Sequence, residues 1–297
     1  MARLFNAYVI ADWSANAKPK TGADSIWIGV LKRDVRFQFV FESFNPATRA
    51  EAETRLGAVL DDLKRRSERT LLGFDFPLGF PRGSGRALKL KDEQWSGVWS
   101  FLAANVVDKA DNTNNRFAVA NKMNRLMTGE ARPFWGSPPK DVQTWLTSTK
   151  PAEHGTDVPP VLRHAEVAAK GAKSIWQIFG NGTVGSQAIV GIPAVARLKA
   201  ARGDGFKVWP FETGWKTLSE ADLQGVDVVA AEIYPSLLKP DPQPGEIKDQ
   251  AQVRTLCHHF ARLDEAGKLA SAFGPPKDFP ADAVVDVAHE EGWVLGA

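Results

Sequence analysis

Three short runs rich in β-branched and aromatic residues come early in the 297-residue chain: "AYVIAD" (Ala7 to Asp12), "SIWIGVLKR" (Ser25 to Arg33) and "RFQFVFESF" (Arg36 to Phe44). Turn-prone segments separate them, so each reads as a strand. "NPATRAEAETRLGAVLDDLKRRSER" follows, with Leu56, Val59, Leu60 and Leu63 at helical spacing and charge on the other faces, and then "TLLGFDFP" reads as a fourth strand. Strand, strand, strand, helix, strand restricts the chain to an α/β sheet with helices packed on it. Beyond this point the alternation fades. Residues 82–176 hold helical pieces rich in Asn, Gly and Pro and read as one large insertion. Regular patterning then returns: a helix over about 185–201, strands at "FKVWPFE" and "VDVVAAEIYP", a helix over about 249–273, and a terminal helix at "ADAVVDVAHEEGW".

Three of the strands share a peculiarity. "AYVIAD", "LLGFD" and "VDVVAAE" are apolar runs that each end on one acid: Asp12, Asp75 and Glu232. Asp75 stands inside "TLLGFDFPLGFP", where an ionised carboxylate is costly unless something pairs with it. In open α/β sheets, ligand chemistry gathers beyond the carboxyl ends of parallel strands. If these strands are neighbours their acids converge, and acids brought together without a cation repel and raise one another's pKa. A hard divalent ion with oxygen ligands, Mg²⁺ or Mn²⁺, resolves that conflict. The structural alternative is that each acid caps the next helix or forms a turn.

The hydrophobic fraction, 43%, is enough for a full core. No apolar run reaches 18 residues, and Asp12 interrupts the first apolar stretch, so neither a membrane span nor a signal peptide is expected and the expected location is cytoplasmic. The single cysteine, Cys257, excludes an internal disulfide and a multi-cysteine zinc site, and it is expected to pack on a helix.

The order of elements together with "ADWSA", "GFDFPLGFP", "WQIFGNGTVGSQAIVGIP", "AEIYPSL" and "DAVVD" resembles the ribonuclease H-like superfamily, and in particular a bacterial family classed as predicted ribonuclease H-like nucleases. The resemblance spans nearly the whole chain. It implies a mixed sheet of three antiparallel strands followed by parallel ones, flanked by helices, with the insertion after the fourth strand. It also implies a metal-dependent nuclease or phosphodiesterase in which two ions, Mg²⁺ or Mn²⁺, cleave a phosphodiester bond in line. Carried over by position, Asp12, Asp75 and Asp286 hold the ions, with Asp282 and Glu232 beside them and Asp12 bridging. Asp282 and Asp286 stand four apart and on a helix share a face.

Net charge is only +2, but residues 82–176 carry 14 Lys and Arg against 9 Asp and Glu. Arg82, Arg116, Lys122, Arg125 and Arg132 interleave there with Trp95, Trp99, Phe117, Phe134 and Trp135, types that contact phosphates and stack on bases. A nucleic acid or nucleotide-like phosphodiester is therefore the expected partner; the alternative is a solvated cap whose aromatics form their own small core. In "FGNGTVGSQ", Gly180, Gly182 and Gly185 match G-x-G-x-x-G ahead of a helix, with Asp204 or Glu212 as the downstream acid. That allows a nucleotide-cofactor enzyme, although "KSIWQIF" reads as helix where the motif requires a strand. Gly182 and Gln187 of this turn are further candidate substrate contacts. A non-catalytic nucleic-acid or nucleotide binder is the remaining class.

Overall fold

A computed structural model describes residues 3–169, 172–180 and 182–297. All the expected strands form one sheet: β1 (Ala7–Asp12), β2 (Trp27–Arg33), β3 (Phe39–Phe44), β4 (Thr70–Phe74), β5 (Phe206–Val208) and β6 (Val228–Glu232), in the order β3-β2-β1-β4-β6-β5. β2 runs antiparallel to both of its neighbours, β1 and β3, whereas β1, β4, β6 and β5 run parallel. β1 and β4 are buried on both sides, which explains their unbroken apolar sequences. β3 is an edge strand and alternates: Phe39 and Phe41 turn inward, Val40 and Glu42 outward. It starts three residues later than its sequence suggests, because the Asp34 carboxylate accepts from the Arg36 and Gln38 amides and holds a hairpin turn with Phe37 at φ +61°.

The helices are α1 (Arg49–Arg65), α2 (Ser84–Ala87), α3 (Trp95–Asn105), α4 (Arg116–Met127), α5 (His164–Ala168), α6 (Gly185–Ala200), α7 (Lys248–Glu265), α8 (Leu269–Ala272) and the single turn α9 (Val284–Asp286). Thr48 caps α1 through its hydroxyl, which accepts from the Glu51 amide, and α1 buries Leu56, Leu60 and Leu63. On that face of the sheet lie Val9, Ala11, Phe74 and Ala230, together with Ile189 and Ile192 of α6. On the opposite face Tyr8, Ile10, Leu71 and Val229 meet Val253, Leu256, Cys257 and Phe260 of α7. Cys257 is buried, as its helical setting predicts.

Three sequence expectations need correction. Among the described residues the helices of the insertion are α2 to α5 and a 3₁₀ turn at Pro139–Asp141, and the long stretch between α4 and α5 is mainly irregular. Its aromatics do not form a separate core: Trp99 and Phe134 are 4% and 0% exposed inside the main cluster, Trp99 Nε1 donates to the Leu78 carbonyl at 2.7 Å, and Trp95 stacks on Phe211. Neither Trp99 nor Phe134 is free to stack on a base. Third, the residues before the Gly-rich turn are not helical; Gln177 bridges Trp135 and the Ile178 amide donates to the Trp135 carbonyl. Gly185 is needed where that segment crosses the start of α6, because a Cβ there would lie 2.0 Å from the Ile175 oxygen. Among the described residues no helix is long and apolar enough to cross a membrane.

Candidate active site

The strand order brings the carboxyl ends of β1, β4 and β6 side by side, so Asp12, Asp75 and Glu232 do share one edge of the sheet. Register then separates them. Ala11 pairs with Phe74, and Phe74 pairs with Glu232, so Glu232 lies level with the residue before Asp75. Side chains alternate along a strand, and a one-residue offset sends a side chain to the opposite face. Asp12 continues the Tyr8 and Ile10 row, on the face of α7; Glu232 continues the Val228 and Ala230 row, on the face of α6.

Asp12 and Asp75 form a pair. Asp75 Oδ1 accepts from the Trp13 amide at 2.7 Å, and Oδ2 accepts from Gln187 Nε2 at 3.2 Å. The two carboxyls are close enough to interact directly. Burial, and then the Asp75 charge, push the Asp12 pKa well above the usual carboxylate range; burial pushes Asp75 up to about 6, although the Trp13 amide and Asp12 act to lower it. Both carboxyls therefore take up a proton more readily than exposed ones do. This resolves the puzzle of a carboxylate within "GFDFPLGFP": Phe76, Leu78 and Phe80 are buried, and Asp75 is satisfied by Asp12, Trp13 and Gln187.

An open cleft of about 790 Å³ carries Asp12 on its wall. Arg116, Gly182, Ser186 and Gln187 line it too, as do two acids that the sequence reading passed over, Asp24 and Asp249. Both add to the negative field at Asp12. Asp249 occupies the first turn of α7, and its Oδ2 accepts from the Asp24 amide at 2.7 Å. The available signal was its place at the start of a helix that packs across β1 and β2. Asp75 instead borders a second, smaller pocket of about 170 Å³, with Gly182, Glu166, Glu232 and Tyr234.

The other sequence candidates lie elsewhere. Glu232 is held by Arg163, a fully buried residue whose Nη1 and Nη2 donate to its two oxygens at 2.8 and 2.6 Å. Arg163 also binds Glu166 and the Glu291 carbonyl. Asp286 does not join Asp12 and Asp75: it pairs with His164 Nε2 at 3.2 Å and with Arg82 Nε at 3.5 Å, on the wall of a separate cavity. Its apolar sequence neighbours mislead, since Val285 is 61% exposed. Asp282 is exposed, in the tight turn Ala281–Ala283 rather than on a shared helix face with Asp286. Lys122 binds Asn105 and lies over Phe101, Arg125 lies over Trp145, and Arg132 pairs with Glu130 and Asp157 beside another cavity. For the cofactor alternative, Gly180 and Gly182 have positive φ but among the described residues no strand leads into them; Glu212 pairs with Lys199, and Asp204 pairs with Lys207 at the surface.

Gln187→Leu tests the Asp75 setting. Loss of a donor that favours the ionised form raises the Asp75 pKa above about 6. Carboxyl ¹³C NMR titration measures this, and an unchanged or lower midpoint would show that Gln187 does not tune the pair.

Among the described residues no group of three or more His, Cys, Asp or Glu is gathered to hold a metal ion. The donor chemistry of Asp12 and Asp75 nevertheless suits one small hard cation, of the kind bound by one or two carboxylates and completed by water and substrate oxygens. No family model matches the sequence, and neither a curated protein nor a solved structure matches it.

Proposed function

We propose that this protein is a divalent-metal-dependent phosphodiester hydrolase with a ribonuclease H-like arrangement of its sheet, acting at Asp12 and Asp75. The observation that carries this reading is the partly buried carboxyl pair at the ends of two adjacent parallel strands, with Asp12 on the wall of a cleft that also contains a guanidinium. The order β3-β2-β1-β4, antiparallel and then parallel, supports the fold reading, while β5 lies at the edge outside β6. With Asp286 paired to His164 and Arg82, two carboxylates support one ion, Mg²⁺ or Mn²⁺, more readily than two.

A bound ion supplies charge neutralisation and polarises the phosphoryl group. Asp12 and Asp75 would hold it through their carboxylate oxygens. The Trp13 amide and Gln187 keep Asp75 oriented, which pre-arranges the charge that catalysis requires. Water adds to phosphorus as one ester P–O bond breaks, giving a phosphomonoester and an alcohol. A nucleic acid or nucleotide-like diester is the substrate class.

Calorimetric titration of Mn²⁺ into wild type and Asp75→Asn, with assays on single- and double-stranded DNA and RNA and on small phosphodiesters, tests the reading. Wild type binds the ion and cleaves; Asp75→Asn does neither, and EDTA stops cleavage. Cleavage that persists in EDTA removes the metal from the proposal. Absence of both ion binding and cleavage favours a non-catalytic nucleotide or nucleic-acid binder.

A further inference from the structure

The cleft at Asp12 contains a cation with no counter-ion. Arg116, the first residue of α4, donates from Nε to Ser186 Oγ at 3.0 Å and from Nη1 to Asn114 Oδ1 at 2.9 Å, and its guanidinium lies 4.3 Å over the Phe117 ring. Among the described residues no carboxylate comes within ion-pair distance of it, and its Nη2 has no partner. Arg49, Arg82, Arg132, Arg163 and Arg197, by contrast, meet carboxylates of Asp108, Asp286, Asp157, Glu232 and Glu53 respectively. Burial, and then the charge of Arg49, lower the Arg116 pKa to about 10. A partly buried guanidinium in that state gains from an anion, because the charged form is then favoured by a near opposite charge.

The same cleft is lined by Asp12, Asp24 and Asp249, with Lys20 paired to Asp24. A ligand that suits both charges needs an oxyanion for Arg116 and further oxygens for a cation held by the carboxyl pair. A phosphoryl group offers non-bridging oxygens in different directions, one set for each. We propose that Arg116 binds a non-bridging phosphoryl oxygen of the substrate, in the cleft that Asp12 also lines. This deepens the phosphodiester reading and rests on it for the role of the carboxyl pair. Arg116 is a substrate-binding residue, and the neighbouring Ser186 and Asn114 position its fork.

The test is calorimetric binding of inorganic phosphate in EDTA, to wild type, Arg116→Gln, Arg116→Lys, Asp12→Asn and, as a control away from the cleft, Arg82→Gln. Sulfate and acetate at matched ionic strength are the comparison anions. Arg116→Gln weakens phosphate binding by roughly tenfold to a hundredfold, Arg116→Lys weakens it less, and Asp12→Asn strengthens it by removing a negative charge from the same cleft. Arg82→Gln leaves it unchanged. Phosphate binding equal in wild type and Arg116→Gln overturns the proposal, as does an equal loss in Arg82→Gln. Acetate binding as tightly as phosphate overturns the phosphoryl assignment. If Arg116→Gln does not fold, Arg116→Lys decides: wild-type affinity there removes the role of the guanidinium fork. Loss of phosphate binding in Arg116→Gln in a protein that binds no Mn²⁺ keeps the anion site and removes the hydrolase reading; ion binding without any effect of Arg116 does the reverse.

Discussion

Asp12→Asn lowers divalent-ion-dependent phosphodiester hydrolysis by about a thousandfold or more, whereas Asp286→Asn stays near the wild-type rate. The first effect follows because loss of a carboxylate that holds the ion removes several kcal/mol of charge stabilisation, at about 1.4 kcal/mol per factor of ten. The second follows from geometry, since Asp286 pairs with His164 and Arg82 on another cavity wall. Steady-state rates with Mn²⁺ on any cleaved diester measure both, and equal losses in the two variants would place Asp286 at the site after all. The pH dependence has a defined sign. Asp75 is raised from 3.8 to about 6 in the folded state, so between those values the folded protein binds more protons than the unfolded chain. Without metal, the Asp75 contribution to stability is fully present below about pH 4 and is lost as pH rises through about 6. Urea unfolding in EDTA detects this as a difference between wild type and Asp75→Asn across that window. With metal the order reverses: protons compete for the carboxylates, and ion affinity falls as pH drops below about 6.

Arg163→Met destabilises the fold by about 3–5 kcal/mol, because it strands buried carboxylates without a counter-charge. Glu166 and Glu232 are 7% and 4% exposed, and Arg163 joins both to the Glu291 carbonyl. Glu232 Oε2 also accepts from the Leu78 amide at 3.3 Å, so the network ties the insertion and the C-terminal segment to the end of β6. A loss of that size is a large share of the stability of an ordinary domain and lowers Tm by on the order of 10 °C. Replacing all three side chains by apolar ones of similar volume recovers much of the loss, since it removes the desolvation cost together with the pairing. Urea unfolding of the single and triple variants measures both. A change below about 0.5 kcal/mol in Arg163→Met, the range of ordinary surface substitutions, would rule out a structural role for the network.

Much of the architecture is legible locally. The apolar runs at Ala7, Thr70 and Val228 and the spacing of Leu56, Leu60 and Leu63 mark strands and a helix because the periods of 2 and 3.6 residues are properties of the backbone. Arg116, Gly182 and Gln187 were legible as candidate contacts by type and position, and all three line the cleft with Asp12. Lys122, Arg125 and Arg132 were equally plausible by type, but their partners lie in the insertion itself: Asn105, Trp145 and Asp157.

The sequence by itself determined that Asp12, Asp75 and Glu232 end apolar strands, and hence that three acids stand where α/β sheets place their chemistry. Only the tertiary structure decided which of them meet. Pairing of Phe74, rather than Asp75, with Glu232 is a one-residue matter of register, and with a side-chain period of 2 it puts Glu232 on the opposite face from Asp12. The partner that then claims Glu232, Arg163, is 69 residues away, and the one that claims Asp286, His164, is 122 residues away. Local periodicity carries no information about such pairings, because a buried charge is satisfied by whichever opposite charge the packed chain brings to it.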